Sequence, residues 1–248
     1  MQSLIAGNWK MFKTVREAEL FARRLVAELE IPPGREVVIA PAFPALYAVN
    51  AVLRGSAIKL AAQNVNDQVQ GAFTGEVSAV MLIDAGCEYV IIGHSERRTF
   101  FRETDDLISR KLSTALARGL RPILCIGETL VERESGATLT VITGQIKEGL
   151  KNVARGDIGN VAIAYEPVWA IGTGKTATPG QAQEVHAFIR DTVESVYGKE
   201  LAGKLRIIYG GSVNSGNIEK LMSEKDINGA LVGGASLDID SFSAIVKY

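Results

Sequence analysis

Side chains that could do chemistry recur in this sequence directly after short β-branched runs. One such position holds the carboxylate of Glu166, another the imidazole of His94, and a third the ammonium of Lys10. Glycine-rich loops at residues 210–212 and 233–234 follow the last two runs, where backbone amides can approach a ligand closely. A carboxylate can act as a base opposite an electrophile, and backbone amides can bind an anionic group of the substrate. This combination suits abstraction of a proton next to a carbonyl.

Each of these residues also has an ordinary structural interpretation. Lys10 can be a solvated lysine, His94 a histidine bonded within a loop, and Glu166 the polar end of a strand. The joint interpretation is stronger, because parallel strands would direct all three side chains toward one end of the fold.

Cofactor and metal motifs fail on their spacing. A P-loop ending at Gly174-Lys175-Thr176 would need a glycine where the chain has Trp169. The glycines at 172 and 174 lie several residues past a predicted strand and do not open the next helix, as a dinucleotide fingerprint requires. The two histidines, His94 and His186, belong to no ligand cluster, so we expect no metal site.

The composition is that of an ordinary folded protein. The chain has 248 residues, 47% hydrophobic and 22% charged, which excludes disordered and fibrous classes. Lys plus Arg number 27 against 28 Asp plus Glu, so no basic field is available for nucleic acid or an anionic membrane. No apolar run approaches roughly 18 residues, and an apolar stretch starting at Leu4 leaves no room for a signal peptide. Cys87 and Cys125 are far apart, which indicates a reducing compartment. We therefore expect a cytoplasmic protein without nucleic-acid or membrane partners.

The elements that must position the reactive residues alternate regularly along the chain. Short apolar runs predict eight strands with amphipathic helices between them, at residues 4–9, 36–40, 58–63, 89–93, 121–126, 160–165, 206–209 and 229–233. Eight units in 248 residues give 31 residues each, the size of one β–α step. A doubly wound sheet and a closed barrel both fit this alternation. The count favours an α/β fold of the (β/α)8 type, a single barrel domain over residues 1–248 with eight parallel strands enclosed by helices.

Capping signals predict the starts of two helices. Thr14 and Glu17 form a capping-box pattern, and Thr178 with Pro179 and Gln181 forms another. The first helix has an apolar stripe made of Val15, Ala18, Ala22, Leu25, Val26 and Leu29.

Six long motifs, in order along residues 4–248, resemble the triosephosphate isomerase family, whose fold is the TIM barrel. They are Gly7-Asn8-Trp9-Lys10-Met11, Gly71-Ala72-Phe73-Thr74-Gly75-Glu76, Gly93-His94-Ser95-Glu96-Arg97-Arg98, Cys125-Ile126-Gly127-Glu128, Ala164-Tyr165-Glu166-Pro167-Val168-Trp169-Ala170-Ile171-Gly172-Thr173-Gly174-Lys175 and Tyr209-Gly210-Gly211-Ser212-Val213.

The resemblance implies interconversion of dihydroxyacetone phosphate and D-glyceraldehyde 3-phosphate through an enediolate, in glycolysis and gluconeogenesis, without cofactor or metal. It implies that Glu166 moves the proton, that His94 polarises the carbonyl oxygens, and that Lys10 stabilises the oxyanion. A helix N-terminus after His94 would keep the ring neutral. Asn8 is a nearby donor, and Glu96 matches an acidic position of the family whose role is the least clear. The implied substrate-binding residues are Asn8, Lys10, Gly172, Ser212, Gly233 and Gly234.

Two loops receive roles from the same resemblance. Residues 167–177 correspond to a lid that excludes water from the enediolate. Residues 64–76 form a long connection with a small, apolar tip, which favours burial against a partner. The resemblance implies a homodimer in which this finger enters a pocket beside Asn8, Lys10 and Met11 of the second copy.

Two other functions are weighed against this one. Another phosphosugar isomerase barrel would carry an Asp or Cys base in place of the motif that begins at Glu166. A non-catalytic phosphosugar-binding barrel would lack Glu166, His94 or Lys10, and the chain has all three.

Overall fold

Eight parallel strands close into a barrel in the computed structural model, which describes residues 1–170 and 176–248. The strands are β1 (Ser3–Asn8), β2 (Arg35–Ala40), β3 (Ile58–Ala62), β4 (Tyr89–Ile92), β5 (Arg121–Ile126), β6 (Ala162–Tyr165), β7 (Arg206–Tyr209) and β8 (Gly229–Val232). They pair in sequence order, and β1 pairs with β8 to close the ring. The predicted (β/α)8 TIM barrel is confirmed, with every strand within two residues of its predicted bounds.

Helices connect the strands and bury their outer faces. They are α1 (Val15–Glu28), α2 (Leu46–Leu53), α3 (Ala79–Asp84), α4 (Ser95–Phe101), α5 (Asp105–Ala117), α6 (Leu130–Glu134), α7 (Thr138–Leu150), α8 (Pro179–Tyr197), α9 (Lys199–Lys204), α10 (Ile218–Met222) and α11 (Ile239–Lys247). Single 3₁₀ turns occupy Phe43–Ala45, Ile158–Asn160, Val168–Ala170 and Gly234–Leu237. Within the described residues, every helix is too short or too polar to cross a bilayer.

Alternation along the strands divides the core into two layers. Alternate residues point inward and fill the barrel with Leu4, Ala6, Val38, Ala40, Ala61, Tyr89, Ile91, Ile123, Cys125, Ala162, Ala164, Ile208 and Leu231. The remaining strand residues, such as Ile5, Val37 and Ile39, pack outward against the helices. Because both faces are buried, the strands are continuous apolar runs, and their chemistry is confined to the ends.

The predicted helix starts are confirmed, and one predicted face is partly wrong. Thr14 and Thr178 each cap their helix through a reciprocal capping box with the residue three positions on. On α1, however, Val15 and Val26 are 42% and 37% exposed. Only the narrower stripe that includes Ala18 and Leu25 is buried, because small residues on that line let the helix approach its neighbours closely.

Candidate active site

The carboxylate of Glu166 lies directly after β6, and the residue is 2% exposed. Its backbone amide donates to the carbonyl of Ile126 on β5 at 2.7 Å. Its Oε1 lies 3.1 Å from Nε2 of His94, and its Oε2 accepts from the amide of Ser95 at 2.9 Å. Each oxygen of the carboxylate therefore has a partner in the structure. A Cβ on Gly210 would lie 2.8 Å from Cγ of Glu166, so the chain can pass this close to the carboxylate only because the residue after β7 is glycine.

The imidazole of His94 is positioned by the helix that it caps. His94 precedes α4, as the sequence predicts, and its Nδ1 accepts from the amide of Glu96 at 3.2 Å. A nitrogen that accepts from an amide carries no proton, so the proton of the neutral ring is on Nε2 and is donated to Glu166. Oε2 of Glu96 is 3.5 Å from Nδ1, but without a proton on that nitrogen the two atoms form no ion pair. The site therefore presents a carboxylate beside a neutral donor.

The ammonium of Lys10 is held by the loop after β1. The residue has a positive φ of 51°, which costs free energy in a non-glycine residue. Its amide donates to Oδ1 of Asn8 at 3.0 Å, and Nε2 of Gln63 donates to its carbonyl at 2.8 Å. Nζ forms a 2.6 Å ion pair with Oε1 of Glu96. This pair gives Glu96 a physical place in the site, since the carboxylate orients the cation from the same helix turn that binds His94.

Backbone groups dominate the part of the cavity wall formed by the loops after β7 and β8. Gly211 and Ser212 follow β7, while Gly233 and Gly234 follow β8 and open the 3₁₀ turn Gly234–Leu237. A Cβ on Gly233 would lie 3.4 Å from Cε of Lys10, so this loop borders the lysine directly. Gly172, the remaining residue implied to bind substrate, lies outside the described residues.

These residues surround one cavity of about 260 Å³ at the C-terminal ends of the strands. It is lined by Asn8, Lys10, His94, Glu166, Gly210, Gly211, Ser212, Val213, Leu231, Gly233, Gly234 and Ala235. Among the described residues, its lining carries one lysine, Lys10, and one carboxylate, Glu166, and Lys10 is also paired with Glu96, so these residues give no excess of positive charge. An anion bound here would rely on the amide groups of the loops after β7 and β8.

Comparison with known proteins assigns the chain to a family. The sequence profile of the family described as Triosephosphate isomerase matches residues 3–248. The chain is 56% identical over 243 residues to the triosephosphate isomerase of Carboxydothermus hydrogenoformans, covering 98% of this chain and 97% of that protein. It is 54% identical over 245 residues to the protein of the same name from Chloroflexus aurantiacus, covering 99% and 98% of the two chains.

The chain belongs to the triosephosphate isomerase family.

Glu128, two residues after β5, connects Tyr165, the residue before Glu166, to Trp169 at the base of the expected lid. The carboxylate is fully buried and accepts from the hydroxyl of Tyr165 at 3.1 Å, the indole Nε1 of Trp169 at 2.9 Å and NH1 of Arg133 at 3.1 Å. Burial, reinforced by the charge of Glu128, raises the pKa of Tyr165, so its hydroxyl stays a donor. The network fixes Trp169 beside β6; of the expected lid, residues 171–175 lie outside the described residues.

Neither cysteine has the environment of a nucleophile. Burial raises the pKa of Cys87 to about 12. Burial, with the charge of Glu166 as the next cause, raises the pKa of Cys125 well above its ordinary value. A thiol held protonated in this way is inert, so neither cysteine is a candidate nucleophile.

Sequence reasoning selected the side chains of the site and missed several of their partners. The structure brings Asn8, Lys10, His94, Glu96, Glu166, Ser212, Gly233 and Gly234 together around the cavity. It also assigns a place to the amide of Ser95, which donates to Glu166, and to Glu128, which stands in the sequence only as the last residue of a family motif. The expected helix start after His94 was a usable signal for Ser95, because the first amides of a helix lack partners within it.

Proposed function

We propose that this cavity interconverts dihydroxyacetone phosphate and D-glyceraldehyde 3-phosphate through an enediolate, as an enzyme of glycolysis and gluconeogenesis. Membership of the triosephosphate isomerase family supports the reaction. The observation that carries it is the 3.1 Å contact between the carboxylate of Glu166 and the neutral imidazole of His94, with Lys10 lining the same cavity. These are the base, the proton donor and the cation that an enediolate requires.

Glu166 is the base of the proposed reaction. It removes a proton from C1 of dihydroxyacetone phosphate, and the electron pair of that C–H bond forms the C1–C2 double bond while the carbonyl π pair of C2 moves onto its oxygen. The same carboxyl group then returns the proton to C2. The hydroxyl on C1 passes its proton through His94 to the oxygen on C2, so C1 becomes the aldehyde and C2 carries the hydroxyl. For this motion the carboxylate leaves its resting donors, Ser95 and His94, which lie on one side of it.

His94 and Lys10 stabilise the charge that develops on the substrate oxygens. Nε2–H of His94 donates to the carbonyl oxygen as it becomes an oxyanion, and a neutral ring can exchange that proton between the two oxygens. The ammonium of Lys10 adds fixed positive charge, and its short pair with Glu96 keeps it oriented before substrate binds. Asn8 supports the same lysine through its side-chain oxygen.

The phosphate group binds the part of the cavity wall formed by the loops after β7 and β8, the phosphate wall. Ser212, Gly233 and Gly234 present their backbone at this wall, and Gly172 is proposed to join them from the lid. Dipoles suit a dianion here because the side chains of the described residues around the cavity carry no net positive charge. We propose no cofactor and no metal for the reaction.

The substitution Glu166→Asp tests this assignment. The shorter side chain withdraws the carboxylate by about 1 Å, and turnover is expected to fall about 100-fold or more while KM changes little. The assay is a coupled measurement of kcat and KM on D-glyceraldehyde 3-phosphate. The matched control is Glu132→Asp, which makes the same change in the capping box of α6 and should leave kcat at the wild-type value.

Two results would contradict the proposal. Near wild-type turnover of Glu166→Asp would remove Glu166 from the role of base. A wild-type protein that binds phosphate but shows no turnover would be a non-catalytic phosphosugar-binding barrel instead.

We also propose that the chain, one barrel domain over residues 1–248, forms a homodimer through residues 64–76. The base of this finger is tied to α5, since Arg110 pairs with Asp67 at 2.8 Å and Thr114 donates to the carbonyl of Asp67 at 2.9 Å. Its tip carries Phe73, 46% exposed, and the loop after β1 exposes Met11 and Phe12. Exposed apolar side chains on a firmly anchored finger support burial against a second copy. Sedimentation velocity from nanomolar to micromolar concentration, with turnover followed in parallel, tests this; a fully active monomer throughout that range would contradict it.

The cytoplasm is the proposed location of the enzyme. Its two cysteines are buried and unpaired, which suits a reducing compartment. Activity recovered with the cytoplasmic fraction of the source cells would support this, and activity recovered outside the cytoplasm would contradict it.

A further inference from the structure

The guanidinium of Arg98 lies behind the active site and makes three separate contacts. From α4, its Nε donates to the carbonyl of Gly93 at 2.8 Å, and NH2 donates to the carbonyl of Cys125 at 3.0 Å. NH1 pairs with Oδ1 of Asp105, the first residue of α5, at 2.5 Å. The side chain is 17% exposed, so all three contacts are largely shielded from water.

These contacts lie where the backbone ladder between β4 and β5 stops. The last paired residues of the two strands are Ile92 and Leu124, and Gly93 and Cys125 come next. Gly93 leaves the strand with a φ of 73°, a left-handed conformation that turns the chain toward His94. Arg98 therefore bridges the two carbonyls at the point where the strands begin to separate.

The bridged strand ends carry the two sides of the proposed proton-transfer pair. Gly93 is bonded directly to His94, and Cys125 precedes Ile126, whose carbonyl accepts from the amide of Glu166 at 2.7 Å. From His94 the path runs through one peptide bond to Gly93 and through the two hydrogen bonds of Arg98, 2.8 and 3.0 Å, to Cys125. It then passes through one peptide bond to Ile126 and through the 2.7 Å hydrogen bond to the backbone of Glu166. A guanidinium suits this position because it is a rigid planar fork, whereas an ammonium is a point charge that cannot span all three acceptors in one fixed geometry.

We infer that Arg98 is a positioning residue that sets the distance between His94 and Glu166, and thereby the rate of proton transfer. Arg98 is absent from the residues that line the cavity, so it acts through the two strand ends. The inference rests on the proposed function, because it requires the His94–Glu166 pair to perform the chemistry. Arg98 should not affect the phosphate wall, because that part of the cavity is formed by the loops after β7 and β8.

The substitution Arg98→Lys tests the inference. For the variant and the wild type, kcat and KM are measured on D-glyceraldehyde 3-phosphate, together with the inhibition constant of inorganic phosphate. A misplacement of the pair on the scale of 1 Å is expected to lower kcat about 10- to 100-fold. KM and the inhibition constant should stay within about threefold of wild type, because the phosphate wall is untouched.

Arg190→Lys is the matched control. Arg190 is also 17% exposed and binds the carboxylate of Asp226 at 2.6 Å and two carbonyls, those of Ala202 and Leu205, at 2.7 and 3.1 Å. Leu205 precedes β7, so this fork lies at the opposite end of the barrel from the active site. Both substitutions should lower Tm, and only Arg98→Lys should lower the kcat of the folded enzyme.

Several outcomes would overturn the inference. They are an Arg98→Lys enzyme with wild-type kcat, an equal loss of kcat in Arg190→Lys, and a loss in Arg98→Lys that appears as weaker phosphate binding.

Asp105→Asn is the second variant, for the case that Arg98→Lys does not fold. It keeps the guanidinium but weakens its ion pair with residue 105, and it should lower kcat severalfold. A wild-type kcat in Asp105→Asn would refute the inference. A wild-type protein without turnover would refute the proposed function and the inference with it, whereas an active wild type with an unaffected Arg98→Lys refutes the inference alone.

Discussion

The buried histidine of α8 makes the stability of this protein depend on pH. His186 is fully buried, with its ring 5.8 Å from that of Tyr165 and 6.4 Å from that of Tyr209. Nδ1 lies 3.3 Å from the carbonyl of Asp226, while Nε2 has no partner among the described residues. Burial lowers the pKa of His186 from 6.5 to about 4. The charge of Arg190 acts in the same direction, and the carbonyl and carboxylate of Asp226 oppose it.

The sign and size of the effect follow from proton linkage. Between pH 6.5 and about 4 the unfolded chain binds a proton at this histidine and the folded protein does not, so the free energy of unfolding falls as pH is lowered. One unit of pKa corresponds to about 1.36 kcal/mol, which gives about 3 kcal/mol over the full range and about 2 kcal/mol between pH 7 and pH 5. Folding lowers the pKa of carboxylates such as Glu36 and Asp226, so their protonation also reduces the free energy of unfolding at low pH. That reduction occurs mainly below about pH 4.5, outside the range between pH 7 and pH 5.

The substitution His186→Asn isolates this contribution. The amide of asparagine can replace the Nδ1 donor and does not titrate, so the variant should lose about 2 kcal/mol of the pH dependence between pH 7 and pH 5. Urea unfolding at both pH values, at one fixed protein concentration, measures the difference. Ile189→Val is the control, because it removes a buried methyl group from the same helix and should keep the wild-type pH dependence.

A wild-type protein equally stable at pH 7 and pH 5 would refute this reasoning. So would a His186→Asn variant that keeps the full dependence, since the protons would then bind elsewhere.

Three other substitutions test separate parts of the molecule. Lys10→Met should lower kcat about 100-fold or more with little change in Tm, because it deletes one charge that stabilises the oxyanion; an unstable variant whose folded fraction is fully active would make Lys10 structural. Arg102→Gly should raise the free energy of unfolding by about 1 kcal/mol and Tm by about 2–4 °C, because Arg102 ends α4 at a φ of 54° that glycine adopts without strain; calorimetry showing a lower Tm would contradict this. Deletion of residues 70–76 should yield a monomer in sedimentation velocity that has lost most of its turnover, and an active dimer would contradict the role of the finger.

Much of the fold is predictable because its signals are local. A strand buried on both faces must be a short apolar run, and a helix start needs a capping side chain within three residues, as at Thr14 and Thr178. These signals depend on neighbours in the chain, so the sequence alone predicts eight strands to within two residues. The exposed Val15 and Val26 show the limit, because periodicity gives a stripe but not the width of the surface that covers it.

The types of the reactive residues were also determined by the sequence, together with their position at strand ends. Parallel strands end on the same side of a barrel, so Lys10, His94 and Glu166 must lie at one mouth once the barrel closes. Their hydrogen-bond and ion-pair partners were not determined. Lys10 meets Glu96 across 86 residues, and Ser95 meets Glu166 across 71 residues. No pattern of local spacing specifies such pairs.

Only the tertiary structure decided which polar groups share a buried site. In the sequence, Arg98 is one of two adjacent arginines with no evident role. In the structure it donates to carbonyls at the ends of both β4 and β5. His186 reads as one polar residue of a long helix, but its ring is closed in by tyrosines from β6 and β7. The physical reason is common to both residues. The protonation and orientation of a side chain depend on desolvation and on partners a few ångströms away, and those arise only when distant segments pack together.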